Sequence, residues 1–184
     1  MGSEQRSMGW VDRLLGRESR VKATSTQIAD DIAATVAQLT DRLITDLRKT
    51  RPPQDEAVFR LECLILTAFP LDVILRAEFG THSDEIRSKL QERLFVAFQS
   101  VGELPMRKFP DFSAHFEQRA SEYMAAWKSA EAGSGQRRLG RVAGQAIYGP
   151  DAAFGINEMF ACSSLVAVTF KSFKGFSSKY EVCG

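Results

Sequence analysis

The fold class is indicated by a long segment that is apolar on most of its sides, residues 54–79, QDEAVFRLECLILTAFPLDVILRAEF. Asp55 and Glu56 open the segment, where acidic side chains favour the positive end of a helix dipole. Apolar side chains then recur at the three- and four-residue steps of an α-helix, at Val58, Leu61, Ile65 and Phe69. Leu64 and Leu66 widen this stripe, so the segment predicts a helix that is covered on most sides.

Pro70 interrupts the same segment. A proline lacks the backbone N–H that would bond four residues back, and its ring crowds that carbonyl. We therefore expect a kink near residue 66 or a break in the helix.

Helical periodicity continues on both sides of this segment. The pattern predicts further helices at roughly 26–49, 83–101, 111–131, 136–148 and 151–173. Residues 159–170 are rich in β-branched side chains, so a strand there is the main local alternative. The sequence predicts an all-α, single-domain bundle of about six helices in antiparallel to partly orthogonal packing. We expect the helices at 54–79 and 151–173 to be the central ones.

The domain division follows from composition. Residues 1–22 are predicted to form a polar end plus a short basic amphipathic segment, residues 23–176 the helical domain, and residues 177–184 a C-terminal tail. The 184 residues carry 24 Lys and Arg against 23 Asp and Glu, a net charge of +1. No global field would draw such a chain onto nucleic acid, and we expect no nucleic-acid partner. No signal peptide is visible, which predicts a cytoplasmic protein.

Residues that carry chemistry are few. The chain has two histidines, His82 and His115, and three cysteines in no zinc or disulfide spacing. No nucleophile or phosphate-loop motif occurs, so we expect no enzyme, no metal and no cofactor. Glu62, Asp72 and Glu158 interrupt the most apolar helices. They form either a solvated strip or, if one points inward, a buried site.

The two ends of the chain are the best candidates for a partner interface. Both are short, basic and amphipathic, and the residues in question are Trp10, Val11, Leu14, Arg17, Phe170, Phe173 and Phe176. Such segments meet a protein partner, a second copy in a homo-oligomer or a membrane surface; the alternative is that both ends dock on the bundle. Met8 to Arg17 resembles the openings of many small bacterial proteins, a likeness that implies no activity. Because the ends are amphipathic and no catalytic motif occurs, we predict an adaptor, scaffold subunit or regulator.

Two further sites are possible. Aromatic side chains at helical spacing favour a small-molecule sensor or carrier with a pocket between helices, although plain core packing explains them equally. The predicted pocket residues are Phe112, His115, Phe116, Tyr123, Trp127, Phe154, Glu158 and Phe160. Gly133, Ser134 and Gly135 precede a helix start with arginines, which predicts an anion site or merely a flexible loop at Arg137, Arg138 and Arg141.

Overall fold

A computed structural model describes residues 20–100, 108–128 and 134–183. In these ranges the chain forms seven α-helices, two 3-10 turns and one pair of short strands. The elements are β1 Val21–Thr24, α1 Ser25–Thr50, α2 Glu56–Ala68, α3 Leu71–Phe79, α4 Ser83–Ser100, α5 Phe109–Trp127, α6 Ser134–Tyr148, α7 Ile156–Phe173 and β2 Tyr180–Cys183. The all-α prediction is confirmed, as is the bundle architecture.

Local chemistry sets the helix boundaries. Thr24 caps α1 through a capping box, in which Gln27 N donates to Thr24 Oγ1 and Thr24 N donates to Gln27 Oε1. Asp55 accepts bonds from Ala57 N and Val58 N at the start of α2. Each cap satisfies backbone donors that have no partner inside the helix.

The predicted helix at 54–79 is two helices. Phe69 N still bonds to Ile65 O, and Ile74 N bonds to Pro70 O, so the break falls at the proline itself. Every residue from Leu61 to Ala68 is buried, which confirms that α2 lies at the centre of the bundle. It packs against α1, α5, α6 and α7.

The last helix is less central than expected. α7 is helical through 159–170, so the strand alternative is wrong. However, it begins at Ile156 rather than 151, and the side chains of Ile156 and Phe160 are 68% exposed. One face of α7 is therefore uncovered, while Cys162, Val166 and Phe173 on the other face lie in the core.

A parallel strand pair joins the two ends of the described chain. Val21 pairs with Tyr180, and the register runs to Thr24 and Cys183. It links residues of the predicted N-terminal segment to residues of the predicted tail. We expected no strands, because four residues on each side are too short to give a periodic signal. Within the described ranges, no helix is both long enough and apolar enough to cross a membrane.

Candidate functional site

An open groove of about 490 Å³ lies between α3, α4 and α5. Its floor is apolar, and charged side chains stand at its edges. The side chains that form it include Phe69, Leu71, Asp72, Leu75, Arg87, Leu90, Leu94, Phe116, Glu117, Ala120, Met124 and Lys128. We name this surface the α5 groove.

The α5 groove exists because α4 covers only part of α5. The two helices run antiparallel, since Phe95 stacks on Phe109 and Phe112 near one end and Arg87 approaches Glu117 further along. In this antiparallel register the first residue of α4, Ser83, lies short of the last turns of α5. Those turns therefore extend beyond the start of α4. Ala120 and Met124 line this groove and are half-buried there.

Charged side chains lie near both ends of the groove. At one end Arg87 lies between Asp72 and Glu117, with Nη1 to Oδ1 at 3.3 Å and Nη2 to Oε1 at 4.0 Å. At the other end Lys128 is exposed and makes no ion pair with any described residue. Because Glu117 and Lys128 are eleven residues apart on one helix, the two ends are separated by about 16 Å.

A buried polar cluster fixes the opposite face of α5. Glu62 in α2 is 2% exposed, and three side chains of α5 meet its carboxylate. Tyr123 Oη donates to Oε2 at 2.5 Å and Arg119 Nε donates to Oε1 at 3.1 Å, while His115 Nε2 lies 3.3 Å from Oε1. Burial raises the pKa of Tyr123 well above its ordinary value, and the neighbouring Glu62 adds to the effect.

The cluster holds α5 in register and is closed to new ligands on its buried side. Each carboxylate oxygen of Glu62 has a donor, and Arg119 also bonds to Glu122 Oε2 at 2.6 Å. Tyr123 packs its ring edge-on against Phe69, with the centroids 6.0 Å apart, and Phe69 belongs to the groove floor. The buried cluster therefore supports the groove wall from behind.

In the part of the chain that the structure describes, the eight residues of the predicted aromatic pocket are not gathered around one groove. Of its eight residues, only Phe116 lines the α5 groove. Phe112, Tyr123 and Phe154 are core residues, His115 belongs to the Glu62 cluster, Trp127 is half-buried, and Phe160 is exposed on α7. Aromatic spacing could not distinguish a pocket from core packing, and here core packing accounts for most of it.

Glu158 is held by partners from another helix. It is 4% exposed, and its Oε2 accepts the N–H of Gly155 at the start of α7. Arg51 Nε lies 3.7 Å from Oε1, Thr50 donates at 3.4 Å, and the Arg51 guanidinium stacks on Tyr148. No cation lies within four residues of Glu158 on α7, so the chain just after α1 supplies one, and Glu158 caps and anchors the helix.

The two predicted end segments have different outcomes. Trp10, Val11, Leu14 and Arg17 lie outside the described residues. Phe173 and Phe176 are 1% and 8% exposed, and their rings stack 5.4 Å apart. Phe170 is half-buried against the core. The C-terminal end therefore docks on the bundle, and its aromatic side chains do not form a free surface.

The predicted anion site gains no support from its surroundings. Arg137, Arg138 and Arg141 are exposed on α6, and Gly133 lies outside the described residues. In the described ranges, no group of three or more His, Cys, Asp or Glu side chains is placed to hold a metal ion.

Sequence reasoning missed the α5 groove. Its central residues, Ala120 and Met124, have side chains typical of any helix, and the groove results from where α4 begins. The only local signal was Pro70, which indicated that one helix would turn. Comparison with known proteins found no matching family model, no similar curated protein and no similar solved structure.

Proposed function

We propose that this chain is a non-enzymatic binding protein, an adaptor or regulator that receives an amphipathic helix of a protein partner in the α5 groove. The observation that carries the proposal is the apolar floor, open along the outer face of α5 from Phe116 to Lys128. Twelve residues of helix correspond to about 18 Å, or three turns. Helix-in-groove recognition uses apolar anchors over about this length.

The charges at the groove ends define the chemistry of the partner. A helix that carries a basic side chain near Asp72 and Glu117 and an acidic one near Lys128 would match both ends. Those two side chains would lie about eleven residues apart, as the groove ends do. Such pairs at the rim contribute orientation and specificity more than affinity.

The state of the titratable side chains supports a binding function over a catalytic one. Asp72, Arg87 and Glu117 are engaged with one another at the rim, and Glu62 is saturated by donors behind the wall. A general acid or base needs a group that can reach a substrate. We also propose a cytoplasmic location, which the three unpaired thiols favour.

A second candidate is a carrier of an apolar small molecule. The groove volume of about 490 Å³ lies within the range of about 300–1,000 Å³ that ligand pockets occupy. A bound apolar molecule would raise the melting temperature through mass action.

The two candidates are separated by one pair of variants. Ala120→Arg places a long cation on the groove floor, where Ala120 is half-buried, while Ala167→Arg makes the same change on an exposed position of α7. We expect affinity capture from the source cells to recover one polypeptide with the unchanged chain and Ala167→Arg, and to lose it with Ala120→Arg. Both variants should keep the helical circular dichroism spectrum.

The result that would reject the helix-docking proposal is a polypeptide recovered equally with both variants. An extracted small molecule, with no polypeptide, that disappears only with Ala120→Arg would establish the carrier instead.

A further inference from the structure

A second apolar surface lies between α1 and α7, on the side of the bundle away from α5. A groove of about 220 Å³ runs between the two helices and is lined by apolar side chains that include Leu39, Leu43 and Val168. Phe160 stands at its edge with 68% of its surface exposed, and Ile156 is equally exposed one turn earlier. Adjacent apolar side chains with this exposure indicate a surface that another segment covers.

The strand β1 is connected, through Tyr180, to the side of α1 that also bears this groove. β1 begins at Val21, which pairs with Tyr180, and Tyr180 Oη donates to Asp31 Oδ2 at 2.6 Å. Tyr180 therefore connects the strand pair to α1 at Asp31. Residues 31 and 42 are eleven positions apart, which places them within about 20° of each other around an ideal helix. Because Arg42 lines the groove, Asp31, to which Tyr180 connects β1, lies on the groove side of α1.

The distances are within reach of the N-terminal segment. Leu39 lies eight residues beyond Asp31 on α1 and Leu43 twelve, which correspond to about 12 Å and 18 Å along the axis. The eleven residues from Trp10 to Arg20 span up to about 33 Å when extended. If residues 10–17 are helical and 18–20 extended, they still span about 22 Å.

We propose that Trp10 to Arg17 of this chain lies in the α1–α7 groove, with Trp10 and Leu14 against Phe160 and Leu39. On an ideal helix Trp10 and Leu14 would share one face with Arg17, whose position is about 20° from that of Trp10, while Asp12 would lie on the far side. The tether favours this occupant over a second copy of the chain, because a short linker holds the segment at an effective concentration in the millimolar range.

Tryptophan fluorescence tests the proposal on the full chain. The chain has two tryptophans, so the difference between its emission and that of Trp10→Phe reports Trp10 alone. We expect this emission to be blue-shifted and protected from acrylamide. Phe160→Asp should remove both properties, because losing an aromatic anchor lowers the ratio of docked to free segment about tenfold or more.

Val96→Asp is the matched control, since Val96 is 59% exposed on α4 and outside the groove. Ser164→Arg is the second test variant, because Ser164 is exposed and lines the groove. If Phe160→Asp fails to fold by circular dichroism, Ser164→Arg gives the answer.

Three results would overturn the proposal. The first is a Trp10 emission as red-shifted and as quenchable as in the denatured chain. The second is protection that survives the groove variant in a folded protein. The third is protection that grows with protein concentration and accompanies dimer formation, which would assign the groove to a second copy.

Discussion

We expect substitution of Glu62 to lower the free energy of unfolding more than other changes of similar size. Its carboxylate is buried and takes bonds from Tyr123 and Arg119. Glu62→Gln keeps the shape but leaves the Arg119 guanidinium without its inner partner, so we expect the free energy of unfolding to fall by about 3 kcal/mol. Urea denaturation monitored by circular dichroism measures this fall in the free energy of unfolding.

Glu56→Gln provides the comparison for that change. Glu56 pairs with Arg48 and Arg60, but its side chain is 39% exposed. Exposed ion pairs contribute about 0–1 kcal/mol. Equal losses for the two glutamates would contradict the structural role assigned to Glu62.

Glu78 gives a prediction about acid. Burial alone would raise the pKa of its carboxyl, but bonds donated by Gly175 N and by the hydroxyl and N–H of Ser177 outweigh burial and hold the pKa below its ordinary value of 4.5. A group with a lowered pKa in the folded state stabilises the fold above its unfolded pKa. That contribution disappears as the pH falls through the folded pKa.

The difference in unfolding free energy between the unchanged chain and Glu78→Gln should therefore be positive and constant from pH 7 to about pH 5.5, and should shrink below the ordinary pKa. Chemical denaturation at a series of pH values measures this difference. Ser177→Ala, which removes one donor, should reduce the acid dependence. A difference that stays constant down to pH 3 would show that the bonds to Gly175 and Ser177 are not formed.

At the scale of single residues, the sequence identified candidate carboxylates but not the side chains that contact them. Glu62 and Glu158 were recognisable as carboxylates within apolar runs. Their partners lie elsewhere in the chain: Tyr123 is 61 positions from Glu62, and Arg51 belongs to the segment after α1. No local pattern connects positions that distant, so the choice between a solvated strip and a buried cluster required the tertiary structure.

Two of the three glycines of α6, Gly140 and Gly144, give a prediction at the scale of the element. A Cβ at Gly144 would lie 2.6 Å from Phe154 N and 2.7 Å from the carbonyl carbon of Ala153, both backbone atoms. A Cβ at Gly140 would meet Met159 Cγ at 2.8 Å, which belongs to a flexible side chain. Gly144 is therefore required for the close approach of α6 to the loop before α7, whereas Gly140 is less constrained.

Gly144→Ala should lower the free energy of unfolding by about 1–3 kcal/mol, because backbone must move to admit the methyl group. Gly140→Ala should be nearly neutral, since the gain in helix propensity of up to about 1 kcal/mol offsets the shift of Met159. Thermal denaturation of both variants measures the contrast. A Gly140→Ala loss equal to that of Gly144→Ala would contradict this packing of α6.

Helices were the most predictable elements, and Pro70 shows why. Apolar periodicity located α1 and α4 to within a residue or two at the ends that the structure describes, because a helix that buries one face must repeat at 3.6 residues. The proline predicted a kink or a break, and only the packing of α3 against α4 decided for the break. The β1–β2 pair was missed because its two strands come from opposite ends of the described chain.

For the whole molecule, the tyrosines give a prediction about alkali. Burial raises the pKa of Tyr148 and of Tyr180 to about 12, with additional effects from Glu158 and Asp31, and raises that of Tyr123 as well. These are all three tyrosines of the chain. Their pKa is about 10 in an unfolded chain, so the folded state binds more protons between about pH 10 and 12, and stability falls as the pH rises through that window.

At pH 11 and low ionic strength, the ultraviolet absorbance of tyrosinate should indicate that about a tenth of Tyr148 and about a tenth of Tyr180 are ionised in the folded protein. Adding denaturant at the same pH should raise the ionised fraction to about nine-tenths. An absorbance that already equals the denatured value while the helical spectrum persists would contradict the burial of these residues.

Fold class was predictable for the whole molecule, and the surface left for binding was not. The composition and the periodicity require a bundle, but they do not say which helix ends short of its neighbour. The α5 groove depends on the offset between Ser83 and Lys128, and the α1–α7 groove depends on how α7 lies beside α1. Both surfaces are properties of the packed helices.

The central claim is that a partner helix occupies the α5 groove. The most direct measurement is photo-crosslinking in the source cells from a photoreactive amino acid at position 120, with the same group at position 167 as the control. If a partner helix occupies the α5 groove, we expect one polypeptide adduct at position 120 alone. Mass spectrometry should map it to an amphipathic helical segment with basic and acidic side chains about eleven residues apart. Adducts of equal yield at both positions, or a non-peptide adduct at position 120, would contradict it.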